Sequence, residues 1–310
     1  MIYINNYFSY GQCMLHSWYV AADFQLYILG LLVCVLCKGS VRRIVLGLLF
    51  VAGIIAPAIH TYLQNLNGTL VLTFEAVRNF LVTDPTFIHV YKPAHTNVPS
   101  FVIGLSLGLI IYQLQNNNFD IKKYKKYQPL YYALLPVTIA IIFVCMVGYR
   151  DGPELSIYVR AVFAAFHKPL FGATIALFIF GMVFKIENTL RGFFEARVWT
   201  VLCRISYCAY ISHEFFIRII SGTSVMIHSD PLHLVNITLG NVFISFFVAV
   251  ILWLLVESPF SGIIDTIRYR KRSTSRQSST QDEAGNGTTD TIEAIEANTL
   301  KKTDKTVNSN

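Results

Sequence analysis

The stretch IVLGLLFVAGIIAPAIH at residues 44–60 carries no Asp, Glu, Lys or Arg and is close to the length of a membrane span. A helix needs about 20 apolar residues to cross the hydrocarbon core of a bilayer. In lipid, every backbone N–H and C=O must be bonded within the segment, so such a run is predicted to be helical. The stretch therefore predicts an integral membrane protein.

Runs of the same kind recur on both sides of this stretch. Together they predict an all-α fold, a polytopic transmembrane helical bundle of about seven helices. The predicted spans are Tyr19–Cys37, Ile44–His60, Val98–Leu114, Leu130–Gly148, Ala161–Phe184, Val198–Ile220 and Ile237–Glu257. His167, Lys168 and Pro169 interrupt the fifth run, so we expect a shorter helix there that begins near Pro169, because proline is tolerated in a first turn.

The composition agrees with a membrane protein and argues against nucleic-acid binding. The 310 residues are 54% hydrophobic and 14% charged, whereas soluble domains are about a quarter charged. The formal net charge of +7 comes from short basic clusters between apolar runs rather than from one basic face. Membrane lipids are the expected partners of these clusters, and no nucleic acid is expected.

The basic residues alternate from loop to loop, which predicts the orientation of the bundle. Loops rich in Lys and Arg follow the first, third, fifth and seventh spans, so the N-terminus is predicted to be outside and the C-terminus inside. Residues 1–262 are predicted to be the transmembrane domain, and 263–310 a cytoplasmic tail, basic and then disordered. The protein is expected in the plasma membrane or an endomembrane.

Polar side chains inside the first predicted span are candidates for function, because ionisable groups are costly in lipid. Asp23, Gln25 and Tyr27 lie in the apolar run that follows Trp18. Asp23 and Tyr27 are four residues apart and share one helix face. Trp18 and Tyr19 alone would be ordinary aromatic anchors at the membrane interface, whereas Asp23 within the run favours a functional role.

The sixth predicted span carries a second polar group. Ser206, Tyr210 and His213 recur at helical spacing and form one stripe, although a buried histidine can also serve only to bond a neighbouring helix. Together with Asp23 and His167, His213 belongs to the predicted outer half of its helix, so the three could meet in one polar cavity. A histidine beside a carboxylate can accept a proton from a hydroxyl group, which suits hydroxyl acylation or proton-coupled transport.

Four motifs follow one another along the chain. They are Trp18, Asp23, Gln25 and Tyr27; Tyr91-Lys92-Pro93 leading to Pro99, Gly104 and Gly108; Ser206 to His213; and Glu257-Ser258-Pro259-Phe260. In kind and order they resemble the motifs of the acyltransferase 3 family. The stretch His16-Ser17-Trp18-Tyr19 with Asp23 is most similar to the branch called nose resistant to fluoxetine.

The resemblance implies a multi-pass O-acyltransferase that moves acyl groups, other than aminoacyl groups, from a thioester donor such as acyl-CoA to hydroxyls of lipids, sugars or other acceptors. No cofactor is expected to be bound, and no metal-ligand spacing is present. Asp23 and His213 are the expected catalytic residues. The expected substrate-binding residues are Trp18, Gln25, Tyr27, Lys168, Ser206 and Tyr210. The alternative is a non-catalytic transporter or a protein that handles lipids or xenobiotics.

The chain departs from the family pattern in three places. Ala94-His95-Thr96-Asn97 stands where the family usually has an arginine, and Lys168-Pro169-Leu170-Phe171 stands for Arg-Pro-Leu-Trp. A lysine replaces a bidentate guanidinium with a point charge. The family also has helices before the tryptophan motif, one of which carries a histidine, so the sequence is expected to be the C-terminal part of a longer protein with missing N-terminal helices as partners.

Overall fold

A computed structural model describes residues 3–8, 16–70, 84–117, 128–147, 155–186, 189–223 and 231–267. Across these ranges the chain forms helices and turns, with no β-strand. The helices are α1 (Ser17–Leu36), α2 (Gly39–Leu63), α3 (Val98–Asn116), α4 (Gln128–Val147), α5 (Ile157–Val183), α6 (Thr189–Phe194), α7 (Arg197–Thr223) and α8 (Pro231–Leu252). Short turns are the 3-10 turn Asn5–Tyr7 and the π-helical turns Phe87–Tyr91 and Trp253–Glu257.

All seven predicted spans coincide with helices. Five helices in the described ranges are long and apolar enough to cross a membrane: α1, α2, α3, α5 and the continuous stretch Val235–Ile267 that contains most of α8. The apolar part of α4, Tyr131–Val144, is shorter, and α7 carries Arg204, Glu214 and Arg218 among its residues. The helical membrane bundle is thus confirmed, with five helices meeting the requirements of a span.

The expectation of a short fifth helix is wrong. α5 begins at Ile157 and contains Pro169 in its interior, where the proline is buried. A proline removes one backbone hydrogen bond and crowds the preceding turn, but neighbouring helices restore the lost contacts in membrane bundles. Here α2, α3 and α4 all pack against α5, so the helix continues through the proline.

The chain divides into two compact units, Met1–Ala196 and Arg197–Asn310. In unit 1, α5 packs against α2, α3 and α4, and α1 packs against α2 and α3. Leu26 of α1, Leu46 of α2 and Val102 of α3 belong to one buried cluster. A Cβ atom on Gly53 would lie only 2.6 Å from Pro99 Cδ, so glycine permits the close approach of α2 to α3.

In unit 2, α7 and α8 pack along a seam of small residues. Cys208 and Ala209 of α7 lie against Ala249 of α8, which is fully buried. Helix then continues beyond the turn Trp253–Glu257 to residue 267, so residues 263–267 of the predicted tail are helical. The rest of that tail lies outside the described residues.

Large apolar side chains cover the outward faces of the helices. Leu36 of α1 is 74% exposed and Phe243 of α8 is 76% exposed. Such faces are unfavourable in water and match the hydrocarbon of a bilayer. The exposed surface therefore supports the membrane assignment independently of helix length.

Candidate functional site

Two irregular segments, 3–8 and 84–97, join α1, α2 and α5 through polar contacts in unit 1. We call this region the polar end of unit 1 and define it by Tyr7, His60, Lys92, His95 and Lys168. These five residues come from four parts of the sequence, and hydrogen bonds between distant residues connect them to the two segments.

Lys168 of α5 holds the 84–97 segment. Its ammonium group donates hydrogen bonds to the carbonyl oxygens of Val90 at 3.2 Å and Tyr91 at 3.1 Å, and to Asn97 Oδ1 at 2.9 Å. An ammonium group has three donors, and all three are used within the chain. Its ammonium group is therefore held inside unit 1.

Trp18 of α1 packs against the π-helical turn of the 84–97 segment. Its ring lies edge-on to Phe87 at 5.8 Å and to Tyr91 at 5.5 Å. The Lys168 ammonium lies 4.6 Å from the centre of the Tyr91 ring, a cation–π distance. The tryptophan predicted to bind substrate therefore contacts the segment that Lys168 holds.

Gln25 of α1 holds the 3–8 segment. Its amide and that of Asn6 exchange two hydrogen bonds of 2.9 and 3.1 Å, and Gln25 also donates to the Tyr3 carbonyl at 2.6 Å. Asn6 is fully buried. Asn5 donates to Ser17 Oγ at 2.8 Å, so two side chains of α1 fix the position of this segment.

Lys92 joins the two segments to each other. Its backbone N–H donates to the Phe87 carbonyl at 2.9 Å, which closes the π-helical turn. Its ammonium group donates to the Phe8 carbonyl at 2.6 Å. The side chain is 2% exposed, and burial lowers the pKa of Lys92 from its ordinary value.

Two histidines and a tyrosine of unit 1 are joined in a row by hydrogen-bond distances. His95 Nε2 lies 3.3 Å from His60 Nε2, and His95 Nδ1 lies 3.2 Å from the Tyr7 hydroxyl. The Tyr7 and His95 rings are stacked at 5.9 Å. Burial lowers the pKa of His95, and the nearby charges of His60 and Lys168 lower it further. This arrangement can move a proton along a chain of hydrogen bonds.

Asp23 lies on the exposed face of α1, away from the buried face of that helix. Ala22 and Leu26 are buried, whereas Asp23, Tyr19 and Tyr27 are exposed on one face. The predicted shared face of Asp23 and Tyr27 is thus present. Among the described residues no hydrogen-bond or ionic partner of Asp23 is found.

The predicted site residues of unit 2 contact their own helix. Ser206 donates to the Cys203 carbonyl at 2.8 Å. His213 Nδ1 lies 2.6 Å from the Tyr210 carbonyl, and the two rings are 5.6 Å apart. Each of these contacts spans one turn of α7.

Two contacts connect α7 with α8 and the turn after it. Cys208 Sγ donates to Glu257 Oε2 at 3.1 Å, and Ser212 Oγ donates to the Ser245 carbonyl at 3.4 Å. Glu257, the first residue of the fourth family motif, therefore accepts a hydrogen bond within unit 2.

Convergence of Asp23, His167 and His213 stays a prediction, because His213 belongs to the other unit. His167 of α5 is half-buried, and its Nε2 has no partner among the described residues. No hydrogen bond joins His167 to Asp23 within those residues.

No group of three or more metal-ligating side chains occurs in the described ranges. His60 and His95 supply two imidazoles, fewer than the three protein ligands of a catalytic zinc site. The nearby Lys168 charge also disfavours a cation. The two imidazoles have the nitrogen atoms needed to accept and donate protons.

Sequence reasoning missed Tyr7, His60 and His95 as a group. His60 was visible only as the last residue of an apolar run, and His95 only as part of a departure from a family motif. The residues are separated by 53 and 35 positions in sequence, and no periodic pattern connects such distances. Their meeting depends on how the 3–8 and 84–97 segments are held.

Comparison with known proteins gives one result. A family model described as an acyltransferase domain, the model of the acyltransferase 3 family, matches residues 2–257. No curated protein and no solved structure gives a significant match.

Proposed function

The chain belongs to the acyltransferase 3 family, and from this premise we propose that it transfers an acyl group to a hydroxyl of a lipid, a sugar or another acceptor. The donor is a thioester such as acyl-CoA, and aminoacyl groups are excluded. The observation that carries the proposal is the match over residues 2–257. The proposed membrane is the plasma membrane or an endomembrane.

The proposal includes roles for the residues identified from the family motifs. Asp23 and His213 are proposed to assist proton transfer during acylation. Trp18, Gln25 and Lys168 are proposed to shape the substrate site, and their contacts with the 3–8 and 84–97 segments support a positioning role there. Tyr27, Ser206 and Tyr210 remain proposed substrate contacts. Assignment to the nose resistant to fluoxetine branch rests on the wording of residues 16–23.

Acyl transfer can be tested with the full chain in isolated membranes of an overexpressing cell. Membranes are supplied with [14C]acetyl-CoA and, separately, with [14C]palmitoyl-CoA, and radioactivity is followed into lipid and water-soluble products while released thiol is measured. We expect labelled product and thiol in equal amounts, above membranes without the protein.

The alternative is a non-catalytic transporter or a protein that handles lipids or xenobiotics. In that case neither donor would be consumed above background. Hydrophobic solutes would instead cross or accumulate in vesicles without covalent change, which would overturn the proposed function.

A further inference from the structure

We propose that Tyr7, His95 and His60 form a proton relay that accepts the proton of the acceptor hydroxyl during acyl transfer. This inference rests on the proposed function. It assigns the reacting end of the relay to His60 Nδ1 and the solvent end to the Tyr7 hydroxyl.

The geometry connects three groups through both nitrogens of the central ring. His95 Nδ1 lies 3.2 Å from the Tyr7 oxygen, and His95 Nε2 lies 3.3 Å from His60 Nε2. A neutral imidazole has one donor nitrogen and one acceptor nitrogen. If Tyr7 donates to Nδ1, His95 donates from Nε2 to His60, which places the remaining proton of neutral His60 on Nδ1.

The reverse arrangement is equally consistent with the same atoms. Tyr7 then accepts from His95 Nδ1, His60 donates from Nε2 to His95, and His60 Nδ1 becomes the open acceptor. The two arrangements interconvert when each shared proton shifts along its hydrogen bond, Tyr7 regains a proton from solvent and His60 Nδ1 releases its own proton. This is the property required of a relay, because a proton accepted at one end can leave at the other.

Burial and the charges around His95 favour its neutral form. The groups that face His95 are His60 from α2, Tyr7 from the 3–8 segment and Lys168 from α5. Burial and the positive charges of His60 and Lys168 lower the pKa of His95. Two imidazolium rings this close repel each other, so the pair binds a single proton before any second one.

The two ends of the relay differ in exposure. The Tyr7 side chain is 49% exposed and can exchange its proton with solvent. His60 is half-buried at the end of α2, and among the described residues its Nδ1 has no hydrogen-bond partner. The less exposed end with the open nitrogen is the better position for a general base, because water competes less there.

Two motif residues of the chain position this relay. Lys168 holds the 84–97 segment through two carbonyls and Asn97, while Gln25 holds the 3–8 segment through Asn6 and the Tyr3 carbonyl. Both segments must be held for Tyr7 and His95 to reach His60. Lys168 and Gln25 are thus positioning residues for the relay.

In the proposed step, the acceptor hydroxyl oxygen attacks the carbonyl carbon of the thioester. Its proton passes to His60 Nδ1, and the His60 Nε2 proton moves to His95. The new C–O bond forms and the C–S bond breaks. The departing thiolate takes up one proton, returned through the relay, so the products are an ester and a free thiol.

The first test needs no enzymatic activity. The full chain in lipid nanodiscs is treated with diethyl pyrocarbonate, which modifies neutral imidazole. The treatment is repeated at pH values from about 4.5 to 8, a range that covers the titration of histidine. Peptide mass spectrometry follows His95, with exposed His89 as the internal reference. In His60→Gln we expect the His95 midpoint to move to higher pH, because a neighbouring charge is removed. An unchanged midpoint would overturn the coupling.

The second test measures thiol release and labelled product with the donors used above. His60→Gln and His95→Gln should each lower kcat by about 10²-fold, the scale of a lost acid–base group. The double variant should be no slower than the slower single variant, because the two residues act as a unit. The matched control is His89→Gln, which changes an exposed histidine of the same segment and should keep native kcat.

A third variant, Tyr7→Phe, tests the relay with a smaller change to the structure. Tyr7→Phe removes only the hydroxyl of an exposed ring and should lower kcat a few-fold with KM unchanged. The relay also predicts that the acid limb of the pH profile moves to higher pH in His60→Gln, which a merely structural role would not produce.

The outcomes separate the two proposals. If the native protein transfers acyl groups and both histidine variants keep full activity with an unmoved acid limb, the relay is overturned and the proposed function stands. If the native protein consumes no donor while His95 still titrates together with His60, the proposed function is overturned, and the role of the relay in acyl transfer fails with it.

Discussion

The polar end of unit 1 and the predicted site residues of unit 2 make their contacts over different distances. In unit 1, Lys168 contacts residues 71 to 78 positions away and His95 contacts Tyr7 across 88 positions. In unit 2, Ser206 and His213 contact carbonyls three positions earlier on the same helix. A contact within one turn forms wherever the helix forms, whereas a contact across the sequence needs the tertiary fold. The polar end of unit 1 is therefore the part where a substitution should have distant effects.

The largest expected effect in this comparison is on the stability of unit 1. Lys168→Met leaves two backbone carbonyls and Asn97 Oδ1 without their charged donor. Hydrogen bonds to charged groups contribute roughly 1.5–3 kcal/mol, so we expect a loss of about 3 kcal/mol and a lower thermal midpoint in detergent.

The control is Lys185→Met, at an exposed lysine just after α5, which should change stability by less than about 0.5 kcal/mol. Equal thermal midpoints for the two variants would show that Lys168 does not hold the 84–97 segment.

The next effect compares one predicted catalytic residue from each unit. In an active protein, Asp23→Asn and His213→Ala should each lower acyl transfer by about 10²-fold if both groups take part in proton transfer, while protein levels stay near native. Thiol release from acyl-CoA measures this. Full activity in His213→Ala would leave unit 1 as the sole source of acid–base groups among those discussed.

A smaller effect is expected on the stability of the protein at acidic pH. The pKa of His95 is lowered below its ordinary value of about 6.5, so the unfolded chain binds a proton that the folded chain resists. Stability should therefore fall as pH decreases from about 6.5 to the folded pKa, by at most about 1.4 kcal/mol per pH unit, and then level off. His95→Gln should flatten this dependence, as measured by thermal unfolding at several pH values; a His95→Gln curve with the native slope would assign the effect elsewhere.

The smallest effect is expected in unit 2. Glu257→Gln keeps an acceptor for the Cys208 thiol and removes only its charge, so we expect a change in stability below about 1 kcal/mol. Chemical denaturation of the full chain measures it. A loss as large as that of Lys168→Met would mean that this contact is as important to unit 2 as Lys168 is to unit 1.

Much of the polar end could not be predicted because its residues have no pattern of their own. Asp23 and Tyr27 could be placed on one face from spacing alone, and the structure confirms that placement. Lys168 was identified as unusual within an apolar run, but its three acceptors include two backbone carbonyls, which carry no sequence signal. His95 and Tyr7 lie in irregular segments, where neither helical nor strand periodicity applies.

The sequence by itself determined the helical membrane bundle, because apolar length and the need to bond every backbone group leave few other structures in lipid. It also determined the family, through motifs whose order is preserved over residues 2–257. Only the tertiary structure decided that α5 continues through Pro169 and that Tyr7, His95 and His60 meet. Both outcomes depend on packing between helices and on hydrogen bonds to backbone carbonyls, and these become defined only when distant parts of the chain are brought together.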